Sequence, residues 1–208
     1  MALPYFTDFL ESTRANRSPV WMMRQAGRYL LSYQEIRKQH SFWEMVTNPA
    51  LAAEVTLLPF TVLDVDAAIL FSDILTLPYG LGIPIEMVEK KGPQVESPLL
   101  SLKDYQMFAS YSPEKHTWFV ADALSRIREK LSPDVAMIGF SGAPFTVACY
   151  LSEEKREKGK GGYLKKWLYE SEITWKKAME TFAEATARYL ISQIEAGCDV
   201  GLSRQGQV

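Results

Sequence analysis

Apolar residues recur along this chain at two spacings. After Asn48-Pro49, the residues Leu51, Val55, Leu58 and Val62 return every third or fourth position, which is the spacing of one helix face. Asn is a capping side chain and Pro suits the first helical position, so the pair predicts a helix start. Pro59 lacks a backbone donor and predicts a kink further along. A second start, Ser112-Pro113-Glu114, leads into the stripe Phe119, Ala123, Ile127 and Leu131. The longest stripe is Trp175, Met179, Phe182, Thr186 and Tyr189, with Gly197 as its C-terminal cap. Shorter helices are predicted over 5–16, where Phe6, Phe9 and Leu10 share a side, and over 33–39.

Between these helices lie short, unbroken apolar runs. They are Ala67 to Phe71, Val135 to Phe140, and a third beginning at Cys198 to Leu202. Such runs read as strands buried on both faces, as in a parallel sheet. The order strand, helix, strand, long helix, strand predicts an α/β fold with a parallel sheet. Ile83 to Lys90 and Gln94 to Leu99 predict a small extended excursion that turns at Gly92-Pro93. The charged, Gly-rich stretch 152–162 (SEEKREKGKGG) reads as a solvated loop or as a lid near a site.

Composition adds limits. The chain has 208 residues, 47% hydrophobic and 23% charged, as in an ordinary globular protein of one or two domains, and 1–208 is read as one. A net charge of −2 gives no general surface for nucleic acid or anionic membrane. The two cysteines, Cys149 and Cys198, form no CxxC pair and no disulfide framework, which fits a reducing, cytoplasmic setting. No basic patch precedes an apolar core at the N-terminus, so no signal peptide is expected. The most apolar run, Leu57 to Phe71, is interrupted by Pro59, Asp64 and Asp66, so no membrane span is expected.

The chemistry concentrates in Met22-Met23-Arg24-Gln25-Ala26-Gly27-Arg28-Tyr29. Two guanidinium groups stand in an apolar setting, and each offers a planar fork that fits carboxylate or phosphate. No Asp or Glu occurs between Ser12 and Gln34, so no helical ion-pair partner is local. The anion must come from elsewhere in the protein or from a ligand. Gly27 beside two arginines suits a loop that approaches a ligand closely. Asp73 follows its strand, where parallel α/β folds collect ligands; the other reading is a helix cap. Ser141-Gly142-Ala143-Pro144 forms a tight turn after the second strand, and Tyr150 either faces the same mouth or simply packs. His40 and His116 lack metal-ligand spacing.

These motifs resemble those of the uroporphyrinogen decarboxylase family. Pro19 through Tyr29 is similar to its N-terminal signature. Ala67 through Leu75 resembles its first barrel strand and aspartate, and Ile138 through Thr146 its next strand end, with Phe145 where the family usually has Trp. Lys166-Trp167-Leu168-Tyr169 also fits, and the resemblance runs from about Phe6 to Val200. It implies a (β/α)8 TIM-barrel fold, of which this chain would hold roughly the first three strands. It implies a cytoplasmic homodimer, without metal or organic cofactor, in haem biosynthesis. The reaction would convert uroporphyrinogen III to coproporphyrinogen III by removing the carboxyl groups of four acetate side chains. Arg24 and Arg28 would bind substrate carboxylates, with Arg24 also a proton donor. The backbone at Gln25, Ala26 and Gly27 would line the cleft. Asp73 would accept hydrogen bonds from the pyrrole N–H groups, and Tyr150 would lie by the reacting acetate.

After Val200 the resemblance ends. The family's later serine and C-terminal histidine have no counterpart in Gly201 to Val208. The expectation is a truncated chain that folds poorly alone and has little activity. Two rival readings are a corrinoid-dependent methyltransferase of the same superfamily, which would use zinc, and a non-catalytic remnant that binds a porphyrinogen or a partner.

Overall fold

Asn48 ends one helix and begins the next. Its Oδ1 accepts hydrogen bonds from the N–H groups of Ala50 (3.0 Å) and Leu51 (3.3 Å), and Pro49 takes the first helical position. Seven residues earlier Ser41 and Glu44 form a reciprocal capping box. The computed structural model describes residues 5–11, 17–23, 25–88, 92–152 and 162–204, with the backbone alone at 162, 163 and 204.

Among these residues the helices are α1 (Tyr5–Glu11), α2 (Leu31–Gln39), α3 (Phe42–Thr47), α4 (Pro49–Leu57), α5 (Thr76–Gly80), α6 (Leu102–Tyr105), α7 (Pro113–His116), α8 (Trp118–Lys130), α9 (Pro144–Ser152), α10 (Gly162–Glu170) and α11 (Glu172–Glu195). The strands are β1 (Ala67–Ile69), β2 (Ile85–Val88), β3 (Gly92–Val95), β4 (Ala136–Gly142) and β5 (Val200–Arg204). The sheet order is β1-β4-β5, and β1 pairs with β4 in parallel, Ala67 opposite Ala136. The α/β class and the three predicted strands are therefore observed, in the strand–helix–strand layout of a (β/α)8 barrel.

The chain divides into two compact units. One comprises Met1–Ser72, Trp118–Phe140 and Leu190–Leu202; the other comprises Asp73–Thr117, Ser141–Tyr189 and Ser203–Val208. In the first, Phe6, Ala67, Ala136 and Ile138 form a core cluster, with Trp21, Val200 and Leu202 packed against it. A second cluster joins Leu30, Tyr33, Met45 and Val55. α4 also packs on α8, whose predicted stripe Phe119, Ala123 and Ile127 is buried. In the second unit an aromatic core forms around Phe108 and Phe182, whose ring centroids are 4.3 Å apart, with Tyr105, Trp167 and Trp175 beside them.

Several details differ from the sequence reading. Gly92 and Pro93 are strand residues, paired with Val88 and Met87 of an antiparallel hairpin. A two-stranded hairpin has an open edge on each strand, and there the missing proline donor costs nothing. The helix that starts at Pro113 is interrupted at Thr117, which is not helical (φ −134°). Pro59 ends α4 early, and Leu58–Thr61 tightens into a 3-10 turn. Ser141 and Gly142 continue β4 instead of turning away from it. Of the helix predicted over 5–16, residues 12–16 lie outside the described residues, as does 153–161 of the charged stretch.

Candidate active site

A strand in a parallel pair turns alternate residues to opposite edges. Towards β4, the Asp66 carbonyl accepts from the Ala136 N–H (3.0 Å), and the Leu70 N–H donates to the Ile138 carbonyl (3.1 Å). Ala67 faces the other edge, and its carbonyl accepts from Gln25 Nε2 at 3.0 Å. The arginine loop thus lies along the edge of β1 that β4 does not occupy. Its entry is fixed by Asp66, whose carboxylate accepts from the two terminal nitrogens of the Arg17 guanidinium and from the Val20 N–H (2.7 Å). The Asp66 N–H donates back to the Val20 carbonyl at 2.8 Å. The Arg17 guanidinium, together with the Val20 N–H, holds the Asp66 carboxyl below its ordinary range.

Within the loop, Gln25 Oε1 accepts from the Met22 N–H (3.2 Å) and the Gln25 N–H donates to the Met22 carbonyl (3.1 Å). The Tyr29 hydroxyl donates to the Gln25 carbonyl, and Gln34 Nε2 donates to the Arg28 carbonyl at 2.7 Å. Arg24 lies outside the described residues. Arg28 is exposed, and no carboxylate pairs with it among the described residues. Ala26 and Gly27 are half-buried. Val20, Met22, Met23, Tyr29 and Leu31 expose apolar surface around them.

Asp73 is half-buried in the second unit. Its Oδ1 accepts from the Leu75 N–H (2.9 Å), and its own N–H donates to Thr76 Oγ1 (3.1 Å). This turn precedes α5, whose N-cap is Leu75 with no side-chain cap hydrogen bond, so Asp73 holds the turn ahead of the helix and does not cap it. The next residue, Ile74, packs on Gly142: a Cβ at Gly142 would lie 2.9 Å from Ile74 Cβ and 2.3 Å from Val147 Cγ2. The close approach of these side chains requires glycine at the end of β4. α9 follows and carries Phe145 and Tyr150, both exposed, and Phe145 meets Trp175 edge-on at 6.2 Å. Ser141 is buried and donates to the Gly142 carbonyl. His116 is structural: its Nδ1 accepts from the Ser112 N–H at 3.0 Å, and its ring stacks on Tyr111.

Three supports were not legible in the sequence. Arg17 carried no signal, and Asp66 stood out only as a charge interrupting an apolar run just ahead of β1. Gln25 and Gln193 gave none, because a glutamine ordinarily reads as exposed. No three His, Cys, Asp or Glu side chains converge as a metal site among the described residues, and no described helix is long and apolar enough to cross a membrane.

Residues 3–202 match the family model described as Uroporphyrinogen decarboxylase (URO-D). A protein named uroporphyrinogen decarboxylase from Thermus thermophilus is 44% identical over 190 residues, covering 88% of this chain and 53% of that protein. Proteins of the same name from Carboxydothermus hydrogenoformans and Prochlorococcus marinus are 42% and 40% identical over 194 and 200 residues. The chain spans about half the length of the curated relatives it matches. Among solved structures, a methyltransferase from Methanosarcina mazei superposes with a TM-score of 0.74 over 96% of this chain and 58% of its own, at 23% identity. That likeness is one of fold.

Proposed function

We propose, because this chain belongs to the uroporphyrinogen decarboxylase family, that it carries the substrate-binding half of a carboxy-lyase acting on uroporphyrinogen III. The product would be coproporphyrinogen III, in haem biosynthesis. The observation that carries the reading beyond family membership is Arg28. It is exposed without a carboxylate partner among the described residues, in a loop whose surroundings are apolar. A macrocycle rimmed by carboxylates supplies both the missing anion and the apolar contact.

In this reading Arg24 and Arg28 hold substrate carboxylates from the arginine loop, with Arg24 also donating a proton. The backbone of Gln25, Ala26 and Gly27 shapes the same wall. Decarboxylation needs an electron sink. A pyrrole protonated at carbon is cationic and takes the electron pair as carbon dioxide leaves. The Asp73 carboxylate accepts the pyrrole N–H groups and stabilises that positive charge, a contribution worth about 100-fold to 1000-fold by analogy with single oxyanion donors. Tyr150 lies by the reacting acetate. The arginines act by positioning, since a carboxylate held too tightly in the ground state is slow to leave. The reading takes 1–208 as one domain of a cytoplasmic homodimer that uses no cofactor.

Anaerobic incubation of the chain with uroporphyrinogen III, with products separated by carboxyl number, tests the reading. Products of lower carboxyl number that disappear in Asp73→Ala would support it. No products from the chain, nor from a version extended to the length of its relatives, would overturn it.

A further inference from the structure

Gln25 is 1% exposed, although its neighbours Met22, Met23 and Arg28 face solvent. A buried carboxamide is costly unless its polar atoms find partners. Here Oε1 takes the Met22 N–H within the loop and Nε2 reaches the Ala67 carbonyl, 42 positions away in the sequence. The backbone of the same residue is also engaged, its N–H by the Met22 carbonyl and its carbonyl by the Tyr29 hydroxyl. These ties bracket Arg24 on both sides and run up to Arg28. Arg17, Val20 and Asp66 secure only the loop entry.

We propose that Gln25 is a positioning residue of the anion site, its carboxamide latching the arginine loop to the open edge of β1. Resting on the reading of that loop as a carboxylate-binding wall, the inference assigns the Gln25 side chain no contact with substrate. Its work is to fix the backbone from which the Arg28 guanidinium projects, so that binding a polyanion does not first have to order the loop. A purely structural glutamine would instead lower global stability and leave the loop no looser than the rest of the chain.

Two variants separate these roles. Gln25→Met keeps the volume and removes both polar atoms; Gln25→Glu keeps an acceptor for Met22 and loses the donor to Ala67. Limited trypsin digestion of the 208-residue chain reads loop opening directly, through cleavage after Arg24 and Arg28. The latch predicts cleavage there about tenfold faster in both variants, with cleavage at other sites unchanged. Binding of uroporphyrin, a stable oxidised analogue, followed by fluorescence, is expected to weaken about tenfold in parallel. Unchanged cleavage after Arg28 in both variants, or a rise shared equally by every site, would overturn the latch. The control is Arg28→Ala. If that variant binds uroporphyrin as tightly as wild type, the reading of the loop as an anion site fails, while the digestion still decides the latch by itself.

Discussion

The carboxamide of Gln193 pairs with both backbone groups of Phe140. Its Oε1 accepts from the Phe140 N–H at 2.9 Å and its Nε2 donates to the Phe140 carbonyl at 3.1 Å. Gln193 is fully buried on α11, so a helix side chain stands in for a neighbouring strand near the end of β4. Gln193→Met leaves the two backbone groups without this partner. The expected loss is about 1–3 kcal/mol, read as a lower midpoint in urea with an unchanged denaturant slope.

The same contact explains Gly139. A Cβ there would lie 2.6 Å from Gln193 Oε1 and 2.8 Å from Cys198 Sγ. Gly139→Ala should therefore cost about 1–3 kcal/mol through overpacking. Because the closer of the two clashes is with the Gln193 side chain, Gly139→Ala and Gln193→Ala should not be additive. The double variant is expected to be less destabilised than the sum of the two, a coupling readable in a double-mutant cycle.

These residues also mark where the sequence ceased to be informative. Periodicity located α8, α11 and the starts of β1 and β4, because burial of apolar side chains dictates those spacings. The strand assignment put Asp73 just after β1, while Tyr150, read as facing the mouth or simply packing, lies in α9. Ser141 and Gly142 read as a turn in sequence, since both types are poor strand formers; in the structure, the crowding of Ile74 and Val147 admits only glycine at 142. The side-chain roles of Gln25 and Gln193 escaped notice for a different reason. Each replaces a backbone hydrogen-bond partner from far along the chain, and no local pattern announces such a role. The candidate anion site was half legible: the missing carboxylates around Arg28 could be counted, but the strand edge that holds the loop could not.

Acid should loosen the loop entry. Asp66 titrates below its usual range, chiefly through the Arg17 side chain and also through the Val20 N–H. A depressed folded pKa means that the contribution is full above the unfolded value of about 3.9 and is lost as pH falls through the lower folded value. Asp66→Asn removes that dependence. Thermal melts from about pH 6 down to about pH 3 should show the wild type losing more stability than the variant at the acidic end. Parallel curves would show that the carboxylate contributes nothing.

The thiols give an alkaline counterpart. Burial, with Asp199 nearby, pushes the Cys198 thiol up to about 12. The neutral thiol is what the fold accommodates, so this site's contribution is full below the unfolded value of about 8.5 and is lost as pH rises through the folded one. Only the thiolate is a nucleophile. In the native chain Cys198 should react with a disulfide reagent far more slowly than in denaturant, where both cysteines titrate.

Asp73 allows its two roles to be separated. Its Oδ1 accepts the Leu75 N–H, a contact that neutral asparagine reproduces. Its charge is what the proposed decarboxylation requires. Asp73→Asn is therefore expected to melt close to wild type, whereas Asp73→Ala should lose about 1 kcal/mol with the turn contact. On the proposed role, decarboxylation measured anaerobically as above should fall in both variants by a similar factor of about 100 or more, because each removes the negative charge proposed to meet the cationic pyrrole. Activity retained in Asp73→Asn but lost in Asp73→Ala would mean that Asp73 serves the reaction only by holding the turn ahead of α5, and the stabilising charge would then have to come from elsewhere.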